Sequence, residues 1–459
     1  MTDVFLDIDG QPNESLSIIS ERLEARSLSG KFQEFTKKYF DLIEVDNRTN
    51  ILELGGGTGV IGRNFIEYKN FSGKYTVSDL SAELLKYGKQ KAKRQNLDKV
   101  LNFEQIDAMA NEISNKNYYD IIIMHTSDLI AYAAPIFTFM IFCEFVYGYF
   151  KNRNNYRLND TFTSISLGMM SRFPAYLQLG VQGLVYAFIW NQFNLGLLNA
   201  YTPLIWVLAF VLYDLSYYWL HRCHHEIKFL WASHVVHHHG EEFNLSTALR
   251  QTGTDFIFKW VFYTPMLFLG VPPEIFVTVA ALNLIYQFWV HTEHIDRLGI
   301  LDYIFVTPSN HRIHHAQNKE YIDANYGGVF IIWDILFGTF KDEKKELKPV
   351  YGTSKPLKSW NPFWANFEVW TEIFKDTWRT KSWKDKFRVW ISRPKWRPKD
   401  VSEKYPIHKN DLKEFKKYDP KVTLFAKIFG FGQLVFGSFY SQAFFFNASS
   451  MGPTEIFLI

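Results

Sequence analysis

The crowding of histidines constrains this chain more than any other feature of its sequence. Twelve of the 14 histidines lie between His221 and His315. Their spacing repeats, with an HxxxH pattern, an HxxHH pattern, an isolated histidine and a second HxxHH pattern. In chain order these residues are His221 and His225, then His234, His237 and His238, then His291, and finally His311, His314 and His315.

This spacing predicts metal binding by helices. Residues three and four apart lie on one face of a helix, so each pattern would bring its imidazoles to one point. Neutral imidazole binds iron, zinc or copper, and a closed zinc site takes four ligands. The histidine patterns therefore predict two metal ions held close together. Three nearby histidines fit no pattern and are predicted either to support the ligands or to be incidental: His224, His239 and His294.

Long apolar runs are confined to the part of the chain after Ser127. A helix that crosses a bilayer needs about 20 mostly apolar residues, and several of the runs approach that length. We therefore predict a mainly α-helical integral membrane domain over 127–340 and a further apolar span in 422–459; the alternative is a large buried core. The runs are Leu129–Phe150, Phe173–Trp190, Pro203–Leu220, Phe256–Leu269 with Ile275–Val290, and Val422–Phe446.

Asp214 lies inside one of these apolar runs, seven residues before His221 and on the same helical face. A carboxylate within a membrane helix is costly and usually functional. We predict that Asp214 belongs to the catalytic apparatus and accepts the second ring N–H of a ligand histidine, most simply His221, which would fix its tautomer. The alternative is a polar side chain that reaches the membrane interface.

The region 341–421 is polar, basic and rich in tryptophan. Cations interleaved with tryptophans suit an amphipathic surface on anionic headgroups, and a solvated helical cap over the active site is the alternative. Lys151, Arg153 and Arg157 follow the first apolar run, which predicts a cytoplasmic side there and an active site on the cytoplasmic face of a bacterial inner membrane or the endoplasmic reticulum.

The histidine patterns and their surroundings resemble the fatty acid hydroxylase/sterol desaturase superfamily of membrane diiron oxygenases. The resemblance runs from about 129 to about 398, and its alkylglycerol monooxygenase branch is the most similar. It is carried by "YDLSYYWLHRCHHEIKFLWASHVVHHHGEEFNLSTALRQ", "YQFWVHTE" and "TPSNHRIHHAQNKEYIDANYGGVFIIWDILFGTF". Two departures are Asn310, where the branch usually has histidine, and His294, where it has an apolar residue.

The resemblance implies that the nine patterned histidines hold two iron ions. It also implies a reaction with O2 that hydroxylates a lipid C–H bond, either in a sterol or fatty acid or beside the ether oxygen of an alkylglycerol. In the latter case a hemiacetal forms and collapses to a fatty aldehyde and a glycerol derivative. Tetrahydrobiopterin is the reductant in the animal enzymes, and the absence of a flavin or Cys-rich motif implies an external electron donor here.

The N-terminal segment 1–126 has a different character. "NILELGGGTGVIGRNF" reads as a strand, a glycine-rich turn and the start of a helix, and an aspartate closes a second strand 20 residues after the last glycine of the turn. This segment resembles the front half of a class I S-adenosylmethionine-dependent methyltransferase, a partial Rossmann-like α/β fold. Its candidate cofactor-binding residues are Glu53, Gly55, Gly57, Gly59, Asp79 and Asp107.

The strands that would complete this sheet are missing, because the chain continues from "YDIIIMHT" into the apolar half. S-adenosylmethionine is therefore a doubtful cofactor, and we do not expect methyl transfer. Two alternative functions are open. A membrane-anchored methyltransferase would need catalytic residues beyond the fourth strand, and we find none in the sequence. A metal transporter or store would place its ligands at mid-membrane, whereas these histidines lie where the apolar runs end. The net charge of +3 does not indicate nucleic acid, and two cysteines do not form a disulfide framework.

Overall fold

A computed structural model describes residues 45–79, 81–106, 121–124, 129–198, 202–254, 258–407 and 409–447, together with separate positions between 20 and 43. The chain divides into two compact units. The first contains Met1–Ser127 together with Gln442–Ile459, and the second is Asp128–Ser441.

The first unit contains a four-stranded parallel sheet with the order β3-β2-β1-β4. This order is the front half of a doubly wound nucleotide-binding sheet, and the partial α/β fold that the sequence predicted is confirmed. Its core is formed by apolar residues such as Ile51, Phe65 and Tyr75. The elements are β1 (Asn50–Leu54), α1 (Val60–Lys69), β2 (Lys74–Asp79), α2 (Ala82–Arg94), β3 (Leu101–Gln105) and β4 (Ile121–Met124).

The second unit is helical, and a helix covers all or most of the described part of each predicted apolar run. Its described helices are α3 (Leu129–Phe150), α4 (Leu158–Phe193), α5 (Pro203–Glu226), α6 (Lys228–His238), α7 (Lys259–Phe268), α8 (Pro273–Trp289), α9 (Pro308–His314), α10 (Ile332–Leu336), α11 (Pro362–Arg379), α12 (Trp383–Ile391), α13 (Lys399–Lys404) and most of α14 (Leu424–Asn447), whose last residues follow the boundary at Ser441. Short 3-10 helices cover Leu245–Leu249 and Gly299–Tyr303.

Helix α5 is the central element of this unit. Pro203 occupies its first turn, where a missing N–H costs nothing, and the Thr202 side chain caps it by accepting from the Ile205 N–H. One face of α5 packs against α7 and α8 around residues such as Ala209 and Tyr263. This packing fixes the direction in which the last two turns of α5, with the first histidine pattern, leave the apolar core.

Among the described residues, one helix is long and apolar enough to cross a bilayer, judged by length and composition alone, and that helix is α5. Shorter apolar stretches cover Ile136–Phe150, Ile275–Trp289 and Leu424–Tyr440. Leu204 of α5 and Phe425 of α14 are 65% and 77% exposed. The mainly helical second unit is therefore confirmed, and its insertion in a membrane stays a prediction.

Candidate metal centre

The nine patterned histidines converge in two groups. Within each group, one donor atom of every histidine lies within 4.8 Å of the others. The groups adjoin each other, because the rings of His238 and His315 are stacked with their centroids 4.4 Å apart. The first group consists of His221, His225, His234, His238 and His314, and the second of His237, His291, His311 and His315.

Three helices supply most of these side chains. The HxxxH pattern occupies the end of α5, the first HxxHH pattern the end of α6, and the second HxxHH pattern α9 with the residue that follows it. The adjacent residues His237 and His238 belong to different groups, so α6 contributes to both. Helical periodicity explains the pairs four residues apart, His221 with His225, His234 with His238 and His311 with His315, each of which lies in one group. The prediction that each HxxHH pattern brings all three rings to one point is wrong, because His237 and His314 each join the other group.

Backbone carbonyls fix the tautomer of four of these histidines. The Nδ1 atom of His221 lies 2.8 Å from the Tyr326 oxygen, and that of His291 lies 2.8 Å from the Gln287 oxygen. The corresponding partners are the Arg250 oxygen for His237, at 3.1 Å, and the Ala324 oxygen for His314, at 2.8 Å. A carbonyl oxygen can only accept, so each Nδ1 carries the proton and each Nε2 presents a lone pair.

These lone pairs face each other within the second group. The Nε2 atoms of His237 and His291 are 3.2 Å apart. Both rings donate through Nδ1, so no hydrogen bond between neutral rings can form there. A cation between the two atoms would turn this repulsion into attraction, and ligand nitrogens about 2 Å from an ion lie about 3 Å from each other when neighbouring.

Two further ring nitrogens, both in the first group, also indicate a bound ion. His225 Nε2 and His314 Nε2 are buried and have no hydrogen-bond partner in the described part of the chain. A buried polar atom without a partner is costly and calls for an explanation such as a bound ion. The all-nitrogen donor set suits iron, zinc or copper, and a group of five exceeds the four ligands of a closed zinc site. The residues therefore fit two metal ions.

Burial keeps these imidazoles neutral, as metal ligands must be. It lowers the pKa of His237 and of His314 to about 4. It also lowers the pKa of His311 and His315 well below the ordinary value, and neighbouring histidines of the centre add to the effect. The imidazole rings of both groups are therefore unprotonated near neutral pH and can bind metal.

The metal-free protein is expected to lose stability as the pH falls from about 6.5 to about 4. The unfolded chain takes up protons at its histidines near pH 6.5, whereas His237 and His314 in the folded chain remain neutral until about pH 4. The unfolded state then binds more protons, so the free energy of unfolding decreases with acidification and is fully recovered above that window. Thermal unfolding in chelator across this range measures the effect; a flat profile would contradict it.

Asp214 does not accept a hydrogen bond from His221, whose Nδ1 donates to the Tyr326 carbonyl; the prediction that pairs these two side chains is wrong. In the described part of the chain Asp214 Oδ1 accepts from Asn283 Nδ2 at 2.7 Å and Val329 N at 2.8 Å. Its Oδ2 accepts from Phe330 N at 2.9 Å and Trp333 Nε1 at 3.0 Å. The shared helical face places the two side chains along one line but two turns apart, about 10 Å at 1.5 Å per residue.

Asp214 instead holds the loop that contacts His221. Its carboxylate accepts from the backbone N–H groups of Val329 and Phe330, shortly after Tyr326, whose carbonyl accepts the hydrogen bond from His221 Nδ1. Gly328 permits this approach, because a Cβ there would lie 2.7 Å from Asp214 Oδ1. Sequence reasoning missed this loop; the signal was the "NYGG" stretch, whose glycines indicate close backbone contact.

Aromatic side chains around the centre were also missed. Phe243 is completely buried, lies 5.2 Å from the His315 ring and stacks on Tyr351 at 5.1 Å between centroids. Trp231 lies 5.0 Å from the His225 ring. Apolar walls of this kind keep water from the metal-binding atoms and control the environment of bound metal. Local composition cannot reveal them, because aromatic residues are abundant throughout this half of the chain.

The histidines outside the patterns lie outside both groups. His224 is buried and stacks on His234 with 5.0 Å between centroids. His239 is buried, and burial lowers its pKa to about 3. His294 packs edge-on against Tyr147 at 5.2 Å. Asn310 caps α9 together with Thr307, each side chain accepting the backbone N–H of the other, which gives this position a structural role.

The glycine-rich turn of the first unit adopts the predicted conformation. Gly55, Gly57 and Gly59 have φ values of +72°, +54° and +68°, which favour glycine. Glu53 is buried at the end of β1. Asp79 accepts the Gly57 N–H at 2.8 Å and the Ser81 N–H at 3.0 Å, so it ties the turn to the second strand. The sixth predicted residue, Asp107, lies outside the described residues.

Comparison with known proteins adds independent findings. Residues 206–339 match the family model "Fatty acid hydroxylase", and residues 45–145 match a "Methyltransferase domain" model. The chain is 38% identical to alkylglycerol monooxygenase from Xenopus tropicalis over 321 residues, 70% of each protein. It is 40% identical to the human alkylglycerol monooxygenase over 272 residues, 59% of this chain and 60% of the human protein.

A bacterial lipid hydroxylase is a more distant relative. The chain is 34% identical to ornithine lipid hydroxylase OlsE from Rhizobium tropici over 135 residues, 29% of this chain and 41% of that protein. Both histidine groups lie within the region 206–339 that matches the fatty acid hydroxylase model.

Proposed function

The chain belongs to the alkylglycerol monooxygenase family, and from this premise we propose that it is an iron-dependent membrane monooxygenase that hydroxylates an ether lipid. The observation that carries the proposal is the pair of adjoining histidine groups with inward-facing lone pairs. The family likeness selects iron among the metals that imidazole accepts. It also selects the class of substrate, because the relatives are named for alkylglycerols.

The reaction inserts one oxygen atom of O2 into the C–H bond beside the ether oxygen. Two electrons and two protons reduce the other oxygen atom to water, and the electrons come from an external donor such as tetrahydrobiopterin. The hydroxylated product is a hemiacetal, which breaks its C–O bond to give a fatty aldehyde and a free glycerol hydroxyl. When bound, a pair of iron ions supplies the O2 reduction and the oxidising power for this chemistry.

The protein's own groups prepare the site. His221, His225, His234, His238 and His314 would hold one iron, and His237, His291, His311 and His315 the other. The carbonyls that receive the Nδ1 protons hold the rings in one tautomer and orientation, so little reorganisation is needed during turnover. The side chains of Phe243 and Trp231, which contact the rings of His315 and His225, would limit the access of water to the metal-binding nitrogens.

Two features support membrane attachment: the nature of the substrate and the length and composition of α5. A long-chain ether lipid resides in a bilayer, and α5 has the length and composition of a span. The first histidine pattern lies in the last two turns of α5. The metal centre would therefore lie near the membrane surface, where the glycerol ether bond is found. Lys151, Arg153 and Arg157 favour the cytoplasmic face.

Metal analysis combined with lipid turnover tests the proposal. Purified protein in detergent should contain two iron ions per chain, and cells that express it should lose alkylglycerols and gain fatty aldehydes and their oxidation products. One iron or none in an active preparation would refute the paired site. Two bound irons with no change in any alkylglycerol would retain the site and overturn the substrate.

The first 126 residues are expected to be dispensable for lipid oxidation. Every histidine of the two groups, and Asp214 as well, lies after Ser127. A chain beginning at Ser127 that inserts into membranes should retain iron and activity within about twofold, because it keeps every histidine of the two groups and Asp214. Loss of activity in an inserted, iron-loaded truncation would show that the N-terminal unit takes part.

A further inference from the structure

Helices α11 and α12 form a hairpin, residues 362–391, with an exposed aromatic side. Trp378, Trp383 and Phe387 are 87%, 75% and 72% exposed, and Ile391 is 67% exposed. Trp383, Phe387 and Ile391 recur every four residues and so share one face of α12. Single exposed apolar residues are common, but a cluster of large ones marks an interaction surface.

The opposite side of the hairpin is firmly attached. Ile373 of α11 and Val389 of α12 are buried against Ala232 of α6. Asp376 is 3% exposed and pairs with Arg397 at 2.6 Å, which fixes the end of α11. The exposed aromatic side chains are therefore carried by a braced element and not by a loose loop.

Charge identifies the partner. Between Phe374 and Lys395 the chain carries eight lysines and arginines and two aspartates, while the net charge of the whole chain is only +3. This segment, which covers the end of α11, all of α12 and the residues that follow, is therefore more basic than the chain as a whole; the two further acids of the hairpin, Glu368 and Glu372, lie earlier in α11. Tryptophan with interleaved cations matches the depth and the charge of an anionic lipid headgroup layer.

We propose that the exposed side of the α11–α12 hairpin binds the interface of a bilayer that contains anionic phospholipids. A soluble protein or a second copy of this chain would also bury the aromatic residues, but tryptophans interleaved with lysines and arginines are typical of a lipid interface, and a second copy, with a net charge of +3, offers no opposite charge overall. The hairpin lies in the membrane surface with its aromatic rings among the glycerol groups and its lysines beside the phosphates.

Membrane binding by the hairpin would also position the metal centre relative to the bilayer, an inference that rests on the proposed function. Helix α6, on which the hairpin packs, carries His234, His237 and His238. The depth of the hairpin therefore sets the height of α6 above the hydrocarbon core. The metal centre would then reach C–H bonds close to the headgroup, such as those of the carbon beside a glycerol ether oxygen.

Photo-crosslinking of the full chain in proteoliposomes tests the contact. Trp383→p-benzoylphenylalanine should give lipid adducts on illumination, identified by mass spectrometry, with more phosphatidylglycerol than phosphatidylcholine adduct in mixed vesicles. The control carries the same photoreactive residue at Gln90, an exposed position on α2, and should give no lipid adduct. Protein adducts at position 383, or adducts with neither lipid, would overturn the proposal.

A charge variant separates headgroup recognition from simple apolar contact. Lys381→Gln with Lys384→Gln, added to the photoreactive chain, should lower the yield of phosphatidylglycerol adduct about threefold because each cation near an anionic surface contributes to binding. Lys89→Gln with Lys93→Gln on α2 serves as the matched control. An unchanged yield in the first variant would refute a role for the cations. Neither measurement uses turnover, so the result stands apart from the enzymatic proposal.

Discussion

Replacing His237 with alanine is expected to abolish lipid oxidation and to lower bound iron from two ions per chain to one or fewer. His237 is one of four histidines in the second group, and its Nε2 faces that of His291 at 3.2 Å. Losing one of four donors leaves an incomplete ligand set, while little apolar burial is lost. The protein should therefore still accumulate in the membrane fraction.

His294→Ala is the matched control for this variant. His294 lies in the same part of the chain but outside both groups, and it packs against Tyr147 at 5.2 Å. We expect normal iron content and activity within about threefold, because the substitution removes no donor atom from either group. Full activity in His237→Ala, or loss of iron in His294→Ala, would contradict the division of the histidines that the structure shows.

The histidine patterns were predictable because they depend on local geometry. Spacings of three and four residues place side chains on one helical face whatever the rest of the fold does. The partners that orient the rings were not predictable in this way. His221 donates to the carbonyl of Tyr326, which is 105 residues away, and every residue other than proline offers the same N–H and carbonyl groups. Only the folded chain reveals which carbonyl is used.

The error over Asp214 has the same origin. Helical periodicity correctly places Asp214 and His221 on one side of α5, but it says nothing of a loop that enters between them. Val329, Phe330 and Trp333 reach the carboxylate from more than 100 residues away. A buried carboxylate in an apolar helix was a sound indication of importance, whereas its partner had to come from the tertiary structure.

Composition likewise predicted where the helices lie in the sequence, but not which of them face lipid and which face protein. A helix covers all or most of the described part of each apolar run after Ser127, because long apolar stretches favour continuous burial of one element. Length and hydropathy alone select just α5 among the described helices as a span. Helix α4 extends over 36 residues and includes Asp160 and Arg172, so its sequence mixes apolar and polar surfaces in a way that composition cannot assign to lipid or protein.

Replacing Asp214 with asparagine is expected to weaken iron binding or activity ten- to a hundredfold, roughly the range for a partner that orients metal ligands. Each carboxylate oxygen accepts two hydrogen bonds, and all four donors are fixed by the fold. In either orientation of the asparagine amide, the NH2 group faces two of these donors. The loss of two bonds to a buried charged group should also cost about 3 kcal/mol of stability.

Two further variants make this test specific to the loop. Gly328→Ala should reproduce the defect from the other side, because the added Cβ would lie 2.7 Å from Asp214 Oδ1. Asp342→Asn, at an exposed acid paired with Arg297, should change neither iron content nor melting temperature.

If Asp214→Asn were fully folded yet as iron-free as His237→Ala, Asp214 would be a metal ligand and the geometry of its four hydrogen bonds would not describe the working enzyme. If iron binding and stability were both unchanged, the loop at Tyr326 would hold His221 without help from the carboxylate. Joint loss of stability and iron affinity in Asp214→Asn and Gly328→Ala is the result that the contacts of this loop require, because the carboxylate acts on iron only by holding the backbone that receives the His221 proton.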